Sequence, residues 1–339
     1  MTVRIALVGC GFFARNHMLA WGDLQGAQVV AVCDLDAEKA AAFAREFGAT
    51  AYTDAARMLA EVRPDVADIA TTVASHRVLV ELAARSAGAV ICQKPFAASL
   101  EDGQAMVNAC AVAGVPLFVH ENFRWQKPWR EVAARVSAGT IGTPQFLRLS
   151  FRHAYDIYAN QPYLADEPDL ALTDVGLHLF DMARSLMGEV ERISCETQRL
   201  NPRVIGQDAF QALLRHRSGA VSSVECSFHT HLTPDPFPQT LGRIEGDRGS
   251  IELLPGYRLL QHGAGGLEEV DVEPDVPAWG ARPWHLIQES VMAFQAHVLE
   301  VLAGRSVPQP SGAHNLGTLA VTLAAIRGAR TGMILAPEV

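Results

Sequence analysis

Lysine is nearly missing from this chain. Among 339 residues it occurs only at Lys39, Lys94 and Lys127, so arginine supplies the other 25 of the 28 basic residues. Arginine keeps its proton at any working pH, whereas lysine can exchange one when its surroundings demand it. Each lysine therefore invites a chemical explanation, although composition alone does not separate that from codon bias. Positive charge is short as a whole: 28 Lys and Arg face 37 Asp and Glu, a net −9 with no basic run. That balance argues against nucleic acid and anionic membrane surfaces as partners. No apolar run reaches the ~18–20 residues that a spanning helix needs. The first, Ile5–Val8, breaks at Gly9 and reads as a buried strand, not a signal peptide. Cys-x-x-Cys is absent too. Cys10, Cys33, Cys92, Cys110, Cys195 and Cys226 are scattered and read as reduced, mostly buried thiols of a cytoplasmic protein. What is plentiful is apolar mass, 49% of the chain, enough for two cores.

The first 120 residues alternate short apolar runs with helical patterns. Strands are expected at Val3–Val8, Gln28–Cys33, Val66–Ala70, Ala89–Cys92 and Leu117–His120, each almost wholly apolar, as a strand covered on both faces must be. Helical patterns lie between them, and the alternation implies a doubly wound parallel sheet. After His120 the pattern changes. A helix at Trp129–Ser137, a Gly139–Pro144 turn and a strand at Gln145–Phe151 lead into a polar, Pro-containing loop at Tyr155–Asp169. A helix at Asp174–Met187 follows. Then come strand-like runs at Glu191–Arg199, Ala209–His216, Ala220–Phe228, Thr240–Glu245, Ser250–Leu254 and Tyr257–Gln261, and helices near Trp284–Ala303 and Asn315–Gly332. Strands joined by short turns imply a mostly antiparallel sheet. The expected domains are residues 1–121 and an α+β domain at 122–339.

The first strand ends in Gly9-Cys10-Gly11-Phe12-Phe13-Ala14, a G-x-G-x-x-A turn directly before a helix. The first glycine makes the turn, the second lets a pyrophosphate approach the backbone, and the small third residue lets helix and strand pack closely. The helix N-terminus then offers free N–H groups to phosphate. Asp34 ends the second strand, 25 residues after Gly9. It can accept both ribose hydroxyl hydrogens of NAD and would repel a 2′-phosphate, and Leu35 and Asp36 follow it in place of an arginine. The reading is a dinucleotide site that prefers NAD.

Lys94 ends the fifth strand in Gln93-Lys94-Pro95, and ligands of open parallel sheets bind at the carboxyl ends of strands. On position alone, a functional lysine and one that merely flanks a strand stand level. Asp174 and His178 are four residues apart and share one helix face, and histidine is the side chain suited to proton exchange near neutral pH. Read in isolation, however, Asp174 would cap a helix and His178 would pack in a core. His229 and His231 face one way on a strand, but no third ligand accompanies them, so no metal site is assigned. Trp279, Trp284 and His285 could line a sugar pocket or simply pack.

Taken together, these groups resemble the glucose–fructose oxidoreductase / inositol dehydrogenase (Gfo/Idh/MocA) family over essentially the full length. Gln93-Lys94-Pro95 matches its Glu-Lys-Pro signature, Thr71-Thr72-Val73-Ala74-Ser75-His76 its Thr-Pro-Asn-x-x-His segment, and Asp174–His178 its D-x-G-x-H helix. Asn122-Phe123-Arg124 resembles the stretch that opens its second domain, and Glu245–Ser250 a later glycine turn. Two departures stand out. Gln93 replaces the usual Glu and removes a negative charge beside Lys94, and Thr72 and Val73 replace Pro and Asn.

The resemblance implies an N-terminal Rossmann domain, a C-terminal α+β domain with a large open, mostly antiparallel sheet, and hydride transfer between NAD and a sugar or polyol carbon, aldose C1 being one candidate. It implies Lys94, Asp174 and His178 as the catalytic group. Cofactor contacts would come from Gly9, Gly11, Phe12, Phe13, Asp34, Thr71, Thr72, His76, Gln93, Lys94 and Arg124. Substrate contacts would come from Lys94, Asn122, Arg124, Tyr155, Asp174 and His178. It also implies a homodimer or homotetramer built on the outer face of the second sheet. Glu121-Asn122-Phe123-Arg124 further resembles aldopentose dehydrogenases. The alternatives are an enzyme that uses bound NAD transiently to cleave a glycosidic bond, and a non-catalytic NAD sensor.

Overall fold

The computed structural model describes residues 2–338. The chain divides into two compact units, one formed by residues 1–121 with 291–319, the other by 122–290 with 320–339.

In the first unit the expected alternation appears as β1 (Val3–Val8), α1 (Ala14–Asp23), β2 (Ala27–Cys33), α2 (Ala37–Phe47), β3 (Thr50–Tyr52), α3 (Ala55–Val62), β4 (Val66–Ile69), α4 (Val73–Ala83), β5 (Ala89–Gln93), α5 (Leu100–Ala113) and β6 (Leu117–His120). Among the described residues these strands form one parallel sheet in the order β3-β2-β1-β4-β5-β6. That is the doubly wound order, whose ligand crevice opens where the order reverses, between β1 and β4. The strands are apolar because both faces are covered: Ile5, Ala6, Leu7, Val90, Ile91 and Cys92 are wholly buried. The three-residue edge strand β3 carries no apolar run and escaped the sequence reading.

The second unit holds α6 (Lys127–Ser137), β7 (Pro144–Arg152), α7 (Leu177–Met187), β8 (Val190–Gln198), β9 (Ala209–His216), β10 (Val221–Ser227), β11 (Leu241–Gly246), β12 (Ser250–Leu254), β13 (Arg258–Gly263) and β14 (Gly266–Asp271). Among the described residues they form one sheet, β14-β13-β12-β11-β7-β10-β9-β8, antiparallel except between β7 and β10. Period-two burial divides its faces. Leu147, Leu149, Phe151, Val224 and Cys226 are buried, while Arg148 and Arg152 on the other face pair with Glu225. The edge strand β14 is mostly exposed and lacks an apolar alternation, so no local pattern marks it.

The closing helices α8 (His285–Leu302) and α9 (Gly312–Thr331) are divided between the units, whereas the sequence assigns both to the second. Contacts far apart in sequence explain the difference. Within the first unit, Phe294 meets Phe118 edge to face with ring centres 6.3 Å apart, and Pro310 accepts from the Val119 N–H at 3.1 Å. Gly103 on α5 leaves room for Leu316, whose Cδ2 would lie 2.8 Å from any added Cβ. Amphipathic period alone names a buried face but not the sheet that covers it.

Candidate active site

The turn after β1 is shaped for close approach. Gly9 has φ +98°, and a Cβ there would lie 2.6 Å from the Ala70 carbonyl oxygen at the end of β4. Only glycine fits both the backbone angle and the space. No side chain caps the α1 N-terminus, and its first turn carries no acidic residue, whereas Asp36, Asp54 and Ser99 cap α2, α3 and α5. Asn16 N–H turns back to the Phe13 carbonyl at 3.0 Å, and a helix N-terminus without a side-chain cap or an acid in its first turn suits an anion. The Asp34 carboxylate is held by two backbone donors, Cys10 N–H at 2.8 Å and Asp36 N–H at 2.9 Å. A fixed acceptor of this kind beside the glycine turn fits a ribose diol. Phe12 stands 46% exposed at the head of the turn. The neighbouring thiols are inert: burial, with help from Asp34, pushes Cys10 up to about 12 and Cys33 up to about 11.

At the end of β4, Ser75 donates to Thr71 Oγ1 at 2.8 Å, and Thr72 is exposed just before α4. His76 is wholly buried, with Nδ1 3.1 Å from the Phe96 carbonyl and Nε2 3.1 Å from that of Thr71. Burial pushes it below the usual imidazole range, so a neutral ring donates to one of the two.

Lys94 lies half-buried at the end of β5. The Gln93 side chain turns inward. Its Oε1 accepts from Lys94 N–H at 2.7 Å, and its Nε2 lies 3.1 Å from His17 Nε2. His17 Nδ1 in turn lies 3.0 Å from Asp68 Oδ2, which also accepts from Trp21 Nε1 at 2.8 Å. His17, Trp21 and Asp68 are wholly buried. The sequence reading missed His17 and Asp68, because nothing local marks residues 51 positions apart as partners.

In the second unit, Asp174 belongs to a wide π-helical turn, Ala171–Gly176, and α7 begins only at Leu177. The sequence expects an ordinary helix from Asp174, since a 3.6 period and a single wider turn leave the same apolar pattern. Gly176 explains the close packing: an added Cβ would lie 3.1 Å from both the Ala171 carbonyl oxygen and the Phe210 ring. Such turns are rare and concentrate at functional positions.

His178 is buried and stacks on Phe123 at 4.2 Å with the rings 4° from parallel. The residues flanking Phe123 are anchored too. Asn122 Nδ2 donates to Ser290 Oγ at 2.8 Å, and the Arg124 guanidinium grips Asp181 with Nε and Nη2 each at 2.5 Å. Asp181 lies three residues beyond His178 on α7, so Phe123 and Arg124 both contact the histidine's helix.

Tyr155 stacks on Phe237 at 4.2 Å and 3°, and its hydroxyl accepts from Trp284 Nε1 at 3.3 Å. His153 lies beside Phe237 at 4.8 Å, and burial pushes it down to about 4 against the opposing pull of Asp235 and Asp174. It is therefore neutral in ordinary buffers. Phe237 and His153 had no sequence signal, because they sit in a Pro-rich segment and at a strand end. His229 and His231 follow β10 with rings 5.2 Å apart. Among the described residues, no group of three or more His, Cys, Asp or Glu side chains could hold a metal ion. No helix among them is long and apolar enough to cross a membrane.

The family model described as the oxidoreductase family with an NAD-binding Rossmann fold matches residues 3–121, and that for the GFO/IDH/MocA C-terminal domain matches residues 129–252. Two D-apiose dehydrogenases, from Paraburkholderia graminis and Rhizobium rhizogenes, are each 46% identical over 328 residues. The match covers 96% of this chain and 88% and 95% of theirs. A crystal structure of an oxidoreductase from Agrobacterium radiobacter, in complex with NAD+, L-tartaric acid and magnesium, superposes with a TM-score of 0.96 at 44% identity, covering 99% of this chain and 98% of that one. The cradle at Gly9, the braced acceptor at Asp34 and a likeness that runs through both units lead to one assignment: the chain belongs to the Gfo/Idh/MocA oxidoreductase family.

Proposed function

We propose that this protein is an NAD-dependent dehydrogenase that moves a hydride between a hydroxyl-bearing carbon of a sugar or polyol and the nicotinamide ring. An aldopentose of the D-apiose kind, reacting at C1, is the first candidate substrate. The observation that carries the redox reading is the cradle, where a side chain at Gly9 would collide with Ala70 and the Asp34 carboxylate waits on two N–H donors. The substrate class rests on the likeness to the two D-apiose dehydrogenases. When bound, NAD supplies the hydride acceptor, and the protein supplies position and proton handling. Gly9, Gly11, Phe12, Phe13, Asp34, Thr71 and Thr72 would hold it. In this reading the Lys94 ammonium donates to the substrate hydroxyl oxygen and stabilises the alkoxide as it develops. His178 takes the hydroxyl proton, and Asp174 orients the imidazole and stabilises its charged form. Tyr155 lines the sugar's side of the second unit. Arg124 acts chiefly by holding α7 through Asp181, and Asn122 bonds Ser290 on α8. Nothing on the chain favours glycosidic cleavage.

Formation of NADH, followed by absorbance with NAD and a panel of aldoses, polyols and sugar acids that includes D-apiose, tests the reaction directly. Steady reduction with one of them is expected; demonstrable NAD binding without reduction by any would sink the dehydrogenase reading. Cofactor choice has its own test. Asp34→Ala should erode the preference for NAD over NADP by about tenfold or more, because the charge that repels a 2′-phosphate is gone. An unchanged ratio of kcat/KM for the two cofactors would reject the ribose assignment. We place the protein in the cytoplasm, where free thiols persist, and assign it a dimer or tetramer through the outer face of the second sheet. Light scattering that returned a monomer would count against that assembly.

A further inference from the structure

We propose that Gln93 and His17 form a positioning pair that fixes the backbone of Lys94 through hydrogen bonds whose directions allow only one arrangement. The inference rests on the reading of Lys94 as catalytic. A backbone N–H can only donate, so the Gln93 oxygen must face Lys94, where it lies 2.7 Å away. The amide nitrogen then faces His17 Nε2 at 3.1 Å, and since an amide nitrogen donates, that ring nitrogen must accept. The ring proton is left on Nδ1, which points at the Asp68 carboxylate, 3.1 Å from Oδ1 and 3.0 Å from Oδ2. Trp21 Nε1–H supplies a second donor to the same carboxylate at 2.8 Å. The chain of bonds runs from α1 and β4 to the end of β5, each contact pairing a donor with an acceptor. Gln295 Nε2 holds the backbone carbonyl of His17 at 3.1 Å, so α1 cannot slide away from it.

The glutamine makes this neutral chain possible. A glutamate at position 93 could accept the Lys94 N–H with one oxygen, but its other oxygen would meet the lone pair of His17 Nε2. One more proton must then lie between them, and on the imidazole it would bridge two carboxylates. Residue 93 and the proton count of His17 are thus set together. Asp68 and Trp21 anchor the far end, and the lysine backbone is the near end. Its side chain swings from a point that the amide holds, and small displacements of a reacting group are costly, up to about a hundredfold for 1 Å.

The test uses the full-length protein in three forms: parent, Gln93→Leu and Gln93→Glu. Gln93→Leu keeps bulk but loses both bonds, and should lower kcat about 10- to 100-fold while KM for NAD stays within about twofold. Gln93→Glu should recover most of that loss, because it restores an acceptor for Lys94 N–H. In histidine-15N-labelled protein, assigned by loss of the signal in His17→Asn, the parent His17 should show one N–H, on Nδ1, and in Gln93→Glu it should show two. A parent His17 protonated on Nε2, a Gln93→Leu variant with parental kcat, or a Gln93→Glu variant as slow as Gln93→Leu would each overturn the pair. The nitrogen signals need no turnover, so they decide the matter even if Gln93→Leu fails to fold. Absence of turnover by the parent on every compound would instead fall on the dehydrogenase reading.

Discussion

Lys94→Ala is expected to lower kcat by ~10²–10⁴-fold while the NAD dissociation constant moves by no more than about fivefold. The size follows from the work assigned to the ammonium, which holds the reacting hydroxyl and stabilises negative charge on its oxygen as hydride departs. Each function is worth orders of magnitude when the donor is fixed before the reaction begins. Binding should survive because the cofactor's grip is spread over the ends of β1, β2 and β4, with Gly9 and Asp34 untouched. The fold should survive as well. The bond that Lys94 makes to Gln93 uses its backbone N–H, and β5 stays paired to β4 and β6 through Ala89–Gln93. Steady-state kinetics beside a fluorescence titration of NADH separate the two effects. Turnover within about threefold of the parent would remove Lys94 from the catalytic group.

Arg124→Ala is expected to destabilise the second unit by about 3–5 kcal/mol. The Asp181 side chain is 1% exposed, and two parallel donors from Arg124 meet its oxygens at 2.5 Å. Removing the guanidinium takes both charge-assisted bonds from a carboxylate that water cannot reach. Arg124→Lys should recover only part of the loss, because a point charge cannot make the two-pronged contact. Denaturant unfolding read by second-unit tryptophans such as Trp125 and Trp284 gives the number, and a loss below about 1 kcal/mol would mean that the pair is structurally idle. The same variant should also slow turnover, since Asp181 and His178 ride on one helix; a stability loss without a kinetic one would separate the two roles.

The two ends of this protein were not equally open to a reader of its sequence. The glycine turn, α1 and Asp34 could be read because they are local: a buried apolar strand, a turn that tolerates no side chain, and an acid at the end of the next strand all fall within 34 residues. Lys94 stood out because the chain has so little lysine. Asp174 and His178 were visible as a spacing, but not the wide turn that presents the first of them or the Phe123 ring on which the second stacks. The Gln93–Glu exchange could be noticed as a lost charge. Its partner could not, because His17 lies 76 residues away and reads as one more residue on a short helix.

The sequence by itself determined the alternation of covered strands and helices, the dinucleotide turn and the chemical types available to the site. Those follow from periodicity, backbone sterics and side-chain chemistry, which act over a few residues. The tertiary structure decided what each polar group must bond to. It committed Arg124 to Asp181, turned Gln93 inward to His17, gathered Tyr155, Phe237 and Trp284, and divided α8 and α9 between the two units. A buried donor or acceptor must find a partner wherever the fold places one, and the distance along the chain does not enter that requirement.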